Sequence, residues 1–394
     1  MWFSSFFIYI LVSLKVDKHV LDEHVNNFIN LIVIDKVEVI LVKNLVILGG
    51  GYGGIKVLTG LLGQELPDDV QITVVDKNPY TSYKTEFHTI VAGTTADVDV
   101  RSPFPVHEQV NYEFGTIRSI DLTEKVVFFQ DRSTVVNFDY LVIALGSEDA
   151  YHGIEGAREY TNSVQSFSHA RHAGAAVGNL PAYGKVSVVG AGLSGIEVAS
   201  EMRESRPDLN IRLLDRGGSV LKAFDEKIQT YVADWFVKND VEVLHYANVE
   251  YVEKDGVCNN GICYVNDVTI WTAGVQPHHL VRALPFKVDR HNKVIVNEFF
   301  QVPGQEHIYV IGDNASSEHS PSAQLAGQQG EQVAVILGDV LDGKEPKQPK
   351  AIRLRGTLGS LGKSDGFASM FQRSITGFLP RLTKSGVLWL QKRH

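Results

Sequence analysis

Cysteine is nearly missing from this chain: Cys258 and Cys263 are its two thiols in 394 residues. Two are too few for a disulfide scaffold at this length, and a reducing compartment fits best. A basic excess is missing as well. The formal net charge is −9, which argues against nucleic acid as a partner, because phosphate binding needs a basic surface. Metal-ligand clusters are lacking too. His169 and His172 are the best-spaced pair, but no third ligand lies near them in sequence. A zinc or iron site needs more, so no metal is expected. Finally, there is no long apolar run. Trp2–Leu14 is apolar but only about half the length a bilayer span requires. No Lys or Arg precedes it and no small-residue cleavage site follows, unlike a secretory signal. The stretch to Leu41 has neither helical period nor turn punctuation. Valine codons can serve as bacterial start codons, so residues 1–41 are read as an artefactual extension rather than a membrane anchor. The natural start is then placed near Val42, before Lys43-Asn44 and the first strand.

What is present is a globular composition, with 44% hydrophobic and 21% charged residues, in a chain long enough for two or three domains. Its most informative feature is an internal repeat. Leu45-Val46-Ile47-Leu48 is a short apolar run of the kind buried on both faces of a parallel sheet. It enters Gly49-Gly50-Gly51-Tyr52-Gly53-Gly54, and Ile55, Val57, Leu58, Leu61 and Leu62 then follow at helical spacing. A second apolar run, Ile72–Val75, ends at Asp76. A third, Tyr140–Ala144, ends at Leu145-Gly146.

The same order of events recurs. Val186–Val189 leads into Gly190-Ala191-Gly192-Leu193-Ser194-Gly195, and Ile196, Val198, Ala199 and Met202 mark the helix. Ile211–Leu214 ends at Asp215, and Val268–Ala273 ends at Gly274. A lone Gly-x-Gly-x-x-Gly is a weak signal. Two of them, each between a buried-type strand and a helix and each followed by an acid about 20 residues on, describe two dinucleotide-binding βαβ units. Gly49 and Gly190 permit the tight turn, Gly51 and Gly192 let a pyrophosphate approach the backbone, and Gly54 and Gly195 let helix and strand pack closely. The helix N-termini supply N–H groups for phosphates. Asp76 and Asp215 would accept hydrogen bonds from ribose hydroxyls.

Two such sites in one chain usually mean one flavin and one nicotinamide. His307–Ile311 is an apolar strand ending in Gly312-Asp313, and in two-dinucleotide flavoproteins this Asp reaches the ribityl chain and pyrophosphate of FAD. The expected fold is therefore α/β, with two Rossmann-like domains, the second inserted in the first. FAD belongs with residues 42–150 and 276–345, NADH with 151–275, and 346–394 forms a C-terminal segment. A free acid at Asp215 repels a 2′-phosphate and favours NADH over NADPH, a preference that Arg216 could soften.

These residues resemble the type II NADH dehydrogenase-like proteins of the pyridine nucleotide-disulfide oxidoreductase superfamily, from about Lys43 to the C-terminus. The sharpest marks are Trp271-Thr272-Ala273-Gly274-Val275-Gln276-Pro277, similar to a segment at the exit of the family's NADH domain, and Pro321–Gln329, similar to its helix under the flavin. The resemblance implies one non-covalent FAD with NADH stacked on one face of the ring and a lipid quinone accepting electrons on the other, without proton pumping. It places Gly146, Gly312, Asp313, Ala323 and Gln324 at FAD, Ala273 and Gly274 at the NADH-domain exit, Glu197 beside the nicotinamide, and Gln324 and Gln328 on the quinone side. Read without the resemblance, Glu197 is an acid in a first helical turn, and the two glutamines are polar positions of an amphipathic helix.

Hydride transfer needs no acid–base triad, and none is seen. Disulfide reductases discharge the flavin through a Cys-x-x-x-x-Cys pair early in the FAD domain. Here that spacing occurs only in Cys258-Asn259-Asn260-Gly261-Ile262-Cys263, where Asn-Gly reads as a hairpin turn. Direct discharge to a diffusing acceptor is expected. From Phe367 to His394 there is no acid, while Arg373, Arg381, Lys384, Lys392 and Arg393 alternate with Phe367, Met370, Phe371, Ile375, Phe378, Leu379, Leu382, Val387, Leu388, Trp389 and Leu390. That mixture suits an anionic bilayer surface or, alternatively, docking on the protein's own core or a homodimer interface. The leading reading is a cytoplasmic NADH:quinone oxidoreductase, peripheral on the inner face of the cell membrane. A soluble NADH diaphorase and a flavin- and NADH-binding redox sensor stand as alternatives.

Overall fold

The computed structural model of the protein describes residues 42–370 and 373–392. The reading of 1–41 as an extension, and the placing of Phe371 and Arg393 in a basic-apolar tail, lie outside the described residues.

Two sheets carry the architecture, the second parallel throughout and the first parallel but for its antiparallel edge strand Gln301–Val302. The first has the strand order Gln301–Val302, Gln305–Val310, Tyr140–Ile143, Lys43–Leu48, Val70–Asp76, Val110–Phe114. Its central strand pairs Leu45 with Ile72 on one side and with Tyr140 on the other. Leu45, Val46, Ile47 and Leu48 are fully buried, because helices and loops cover both faces of a parallel sheet. Helix α1, Tyr52–Leu62, follows that strand. The chain leaves this sheet after Ile143 and returns to it at 301–310.

Between those points it builds the second sheet, ordered Asn162–Ser163, Val268–Trp271, Lys185–Val189, Asn210–Leu214, Val241–Leu244. Here Val186 pairs with Ile211 and with Val268, repeating the ladder of the first sheet. Helix α2, Leu193–Ser205, takes the place of α1. The outgoing strand Ser147–Asp149 pairs antiparallel with the returning strand Val275–Pro277, Glu148 opposite Gln276, so the two passages between sheets brace each other. Helix α3, Ala323–Leu341, packs on α1, and a Cβ on Gly330 would lie 2.4 Å from the Gly53 carbonyl oxygen.

The cysteine segment folds as the Asn-Gly signal predicts: Gly256–Asn259 and Ile262–Val265 form a hairpin, with Asn260 and Gly261 at φ 51° and 75°. Cys258 faces Cys263 directly across the ladder, and the two are joined as a disulfide. A count of two argues against a scaffold but does not forbid one local bridge, and that bridge is what forms.

The C-terminal segment divides in two. Strands Thr357–Leu361, Asp365–Met370 and Arg373–Thr376 form a small antiparallel sheet. Phe367 and Leu361 are fully buried in the same core as Ile196, Val198 and Met202 of α2, so Phe367 belongs to the protein's own core and not to an outward apolar surface. Helix α4, Phe378–Gln391, is arranged the other way. Phe378, Leu379, Leu382, Trp389 and Leu390 are each more than half exposed, whereas Lys384 is buried.

Candidate active site

The two glycine turns share their geometry at the three glycines of the motif. Gly49 and Gly190 have φ of 98° and 106°, open only to glycine at low cost. A Cβ on Gly54 or Gly195 would sit 1.9 Å from the carbonyl oxygen of Gly49 or Gly190 respectively, so the helix could not start so close to the strand. Around Gly51 and Gly192 a Cβ would meet nothing within 4 Å. These are the open positions, facing the free N–H groups at the starts of α1 and α2, and they fit a pyrophosphate at each turn.

Each turn is closed by a strand end from elsewhere in its sheet. Gly49 abuts Ala144 and Leu145, immediately before Gly146, while Gly53 abuts Ile311, immediately before Gly312 and Asp313. Gly146 and Gly312, both at φ 68°, turn those strand ends over the cleft. Ala323 opens α3 behind the Ser322 cap, whose hydroxyl accepts from the Leu325 N–H at 3.1 Å. In the second unit Gly190 abuts Thr272 and Ala273. The Thr272 hydroxyl lies 2.9 Å from the carbonyl oxygens of both Val189 and Gly190. Gly274, at φ 129°, then turns the chain out, with His152 Nε2 3.0 Å from the Ala273 oxygen.

The two acids differ. The Asp76 carboxylate accepts from the Gly50 N–H at 2.7 Å and from the Asn78 N–H at 2.9 Å. Burial raises its pKa, with those hydrogen bonds and Lys77 pulling the other way. Asp215 Oδ2 is buried and accepts no hydrogen bond from the described residues. A buried carboxylate oxygen without a donor is costly, and a ribose hydroxyl is the kind of donor it lacks.

Asp313 accepts a 2.7 Å hydrogen bond from the Ser147 hydroxyl, whose oxygen in turn accepts one from Lys84 Nζ at 3.2 Å. The Gly312 N–H donates to buried Gln329 Oε1 at 2.7 Å, which fixes the turn that presents Asp313. Gln329, Ser147 and Lys84 carry no sequence signal of their own. Gln329 lies inside the Pro321–Gln329 match, but which of its glutamines turns inward is settled only by the helix packing.

Glu197 is buried in the second turn of α2, not in the first as its place after the glycines suggested, because the helix begins at Leu193. Lys384 Nζ, from α4, lies 2.6 Å from its Oε1, and the Ser360 N–H and hydroxyl donate to it at 3.0 and 3.1 Å. Lys384 also lies 3.6 Å from Glu86, and His88 Nδ1 lies 3.8 Å from Glu197. Burial alone would raise the Glu197 pKa, but the Lys384 charge and these hydrogen bonds outweigh it and hold it below the usual carboxylate value. Burial raises that of Glu86. Burial, reinforced by Lys384, pushes His88 down to about 3, so it is neutral at pH 7. Lys384 also approaches the Thr85 carbonyl oxygen, and the Thr85 hydroxyl pairs with the Tyr52 hydroxyl of α1 at 3.0 Å. A polar chain thus joins the second glycine turn to the first. Lys384, expected in a basic membrane-facing surface, is turned inward, where the buried Glu197 carboxylate is its ion-pair partner.

The two glutamines share a face of α3 as their spacing requires, but that face is partly covered. Gln328 exchanges hydrogen bonds with both backbone groups of Arg353, and Gln324 Oε1 accepts from the Arg355 N–H at 2.9 Å. The Nε2 of Gln324 makes none with the described residues.

Two parallel sheets, each with a glycine turn between strand and helix and the second built between two passes of the first, define a two-dinucleotide oxidoreductase fold. Residues 43–330 match the pyridine nucleotide-disulphide oxidoreductase family, and the chain belongs to it. It is an enzyme whose cofactors are FAD and NADH. It is 44% identical over 353 residues, 89% of this chain and 99% of the relative, to the NADH dehydrogenase-like protein YutJ of Bacillus subtilis. Over 375 residues, 85% of this chain and 91% of the relative, it is 26% identical to a type II NADH:quinone oxidoreductase of Staphylococcus haemolyticus. In fold it is similar to NDH2 of Plasmodium falciparum, solved in complex with NADH, at a TM-score of 0.76 and 16% identity, covering 89% of this chain and 94% of that one. The resemblance read from the Trp271–Pro277 and Pro321–Gln329 segments is borne out, as is the expectation of an NADH-oxidising flavoprotein enzyme.

Proposed function

We propose that the protein is an NADH:quinone oxidoreductase that passes a hydride from NADH to FAD, and electrons from there to a membrane quinone, without pumping protons. The observation that carries this reading is a pair of matched nucleotide cradles with no thiol between them: both cysteines lie at 258 and 263, tied to each other in a hairpin of the second unit. A bound flavin accepts a hydride and yields its electrons singly or in pairs. The remaining work falls to the chain. Gly49, Gly51, Gly54, Asp76, Gly146, Gly312, Asp313 and Ala323 would hold FAD, with residues 42–150 and 276–345 as its domain. Gly190, Gly192, Gly195, Asp215, Ala273 and Gly274 would hold NADH in domain 151–275. Glu197 would face the nicotinamide side with its charge kept by Lys384. Gln324 would offer its Nε2 to a quinone carbonyl, while Gln328 positions the 353–355 backbone beside it.

No helix among the described residues is long and apolar enough to cross a membrane. The exposed apolar residues of α4, with Arg373, Arg381 and Lys392 near them, suit an anionic bilayer surface, reached from the cytoplasmic side.

Stopped-flow spectra test the reading. Purified protein is expected to be yellow, NADH to bleach it within milliseconds to seconds, and menadione to restore the colour. Bleaching without quinone-dependent recovery would favour the redox sensor or a diaphorase using another acceptor. Protein that takes up no FAD excludes all three.

A further inference from the structure

The electron route proposed above gives the two cysteines no part, and their place in the second unit points to a different one. Cys258 is buried, and Cys263, directly opposite it in the hairpin, is exposed. Their bridge spans a sequence separation of only 5. Closing so short a loop takes little freedom from the unfolded chain. The turn also has its own cause in Asn260-Gly261, whose positive φ angles match the twist of the flanking strands. Val257, beside Cys258, is fully buried in the same core as Val189, Leu214 and Trp271. The hairpin is therefore anchored without the disulfide, and stapling it is a weak reason for the bridge.

The tip of the hairpin is tied to the nucleotide cradle. The Asn260 N–H and side-chain amide donate to the carbonyl oxygens of Asn248 and Tyr246, at 3.3 and 3.1 Å. The Gly261 N–H donates to Glu250 Oε2 at 3.0 Å. The segment held in this way donates onward, from the Tyr246 N–H to the Gly217 oxygen at 3.0 Å and from the Ala247 N–H to the Asp215 oxygen at 2.8 Å. The Tyr246 hydroxyl covers Gly218, where a Cβ would lie 2.5 Å from it. One run of hydrogen bonds thus joins the cysteine turn to the loop that carries Asp215 and its buried, unpartnered oxygen. The exposed sulfur of Cys263 leaves the bridge open to attack, and exposed disulfides are the labile ones.

We propose that Cys258 and Cys263 form a thiol–disulfide modification site that reacts with dithiols and sets the affinity of the second unit for the adenosine end of NADH. This rests on the placement of NADH in residues 151–275. A thiolate of the dithiol attacks Cys263 Sγ, the bond between the two cysteines breaks, and Cys258 leaves with the electron pair and takes up a proton. The second thiolate of the dithiol then attacks its own sulfur in the mixed disulfide, and Cys263 leaves. The Tyr251 hydroxyl, 3.3 Å from Cys263 Sγ, donates to that departing thiolate and makes it a better leaving group. The chain gains two electrons and two protons, the dithiol departs as its disulfide, and an oxidised dithiol reverses the exchange. Once unbonded, the two sulfurs must move apart. Cys258 is held in the core, so the Cys263 strand yields and loosens the Asn260 tip and the 246–248 segment behind it. The bridged form keeps Asp215 in place for a ribose, and the dithiol form binds more weakly.

The test is calorimetric binding of ADP-ribose to the full-length holoenzyme, before and after reduction by excess dithiothreitol under argon, with alkylation and mass measurement reporting the state of both cysteines. Reduction should weaken binding about fivefold, the size of one hydrogen bond, and reoxidation should restore it. Cys263→Ser, at an exposed position, should bind like the reduced form and be indifferent to dithiothreitol. Reduced wild type that binds ADP-ribose as tightly as the bridged form would overturn the proposal, leaving the bridge a local staple. A bridge that dithiothreitol opens only in urea would overturn it too. ADP-ribose bound by neither form would instead defeat the placement of NADH in the second unit, and the switch with it.

Discussion

The two glycine-turn units of this chain agree at the three glycines of the motif and disagree at the next charged residues, and the disagreement is the more instructive part. Gly49, Gly51 and Gly54 superpose in role on Gly190, Gly192 and Gly195: a left-handed turn, an open backbone, a contact too tight for a Cβ. Two residues past the third glycine stands Lys56 in one unit and Glu197 in the other. Lys56 makes a 3.5 Å pair with Glu331 at the surface, and Glu197 makes a 2.6 Å pair with Lys384 in the interior. About 20 residues further, Asp76 is tied to its own loop, while Asp215 keeps a buried oxygen free. Under the proposed assignment, the repeated backbone geometry serves a phosphate in each unit, and the side-chain chemistry diverges because one unit would hold a cofactor and the other exchange a substrate.

The agreement is broken most severely at the third glycine. Ala at 54 or 195 forces a carbonyl oxygen away by more than an ångström, and each variant should lose about 3 kcal/mol, near the upper end for overpacking, read as a lower urea midpoint. The two should still separate in colour. Gly54→Ala is expected to come off a column without flavin, whereas Gly195→Ala stays yellow but is no longer bleached by NADH. A Gly195→Ala protein reduced at the wild-type rate would mean that the second turn holds no dinucleotide.

Next in size is the buried pair. Glu197→Ala leaves Lys384 inside with only Glu86 nearby, a loss of about 3 kcal/mol by the usual cost of breaking such a pair. Glu197→Gln should slow flavin reduction without releasing FAD. The sign with pH follows from the depressed pKa of Glu197. Its contribution is complete above the ordinary glutamate value and disappears as pH falls through the lower folded value. The stability of Glu197→Gln should therefore lack that component of the wild-type acid limb. An acid limb identical in the two proteins would show that Glu197 carries no charge in the fold.

Most of the fold was legible in the sequence because its signals are local. A strand buried on both faces, a glycine turn and a helical period all fall within about 20 consecutive residues, and each unit shows them in order. The C-terminal contribution was not legible. Lys384 reaches Glu197 across 187 positions and Ser360 reaches it across 163, and no spacing rule links residues so far apart. Composition gave Phe367–His394 the appearance of one basic-apolar surface. Its strands instead bury Phe367, and its helix sends one lysine inward while leaving its apolar residues outside. The glutamines at 324 and 328 were placed on a shared helical face by their spacing. That the 353–355 backbone covers them could not be read, because that segment has no periodicity to predict.

Smaller effects separate the two acids. Asp215→Asn should raise the KM for NADH about tenfold, the order expected for one hydrogen bond to a charged group, with kcat and ligand-free stability unchanged. Asp76→Asn should behave in the opposite manner, lowering ligand-free stability because the Gly50 or Asn78 N–H loses its acceptor. Equal KM values for wild type and Asp215→Asn would assign the free oxygen to something other than ribose.

The smallest effect is predicted at Lys56, and it is the one that isolates position from chemistry. Lys56 and Glu197 occupy the same step of the same motif, so a role inherent in the motif would make both sensitive. The physical difference argues otherwise. The Lys56–Glu331 pair is solvated on both sides, with side-chain exposures of 37% and 59%, and exposed pairs of this kind are worth less than about 0.5 kcal/mol. Lys56→Met should leave FAD retention, the rate of flavin reduction and the urea midpoint within error of wild type, while Glu197→Gln slows reduction. If Lys56→Met slowed reduction comparably, this helical position itself, and not the buried Lys384 contact, would set the rate in both units.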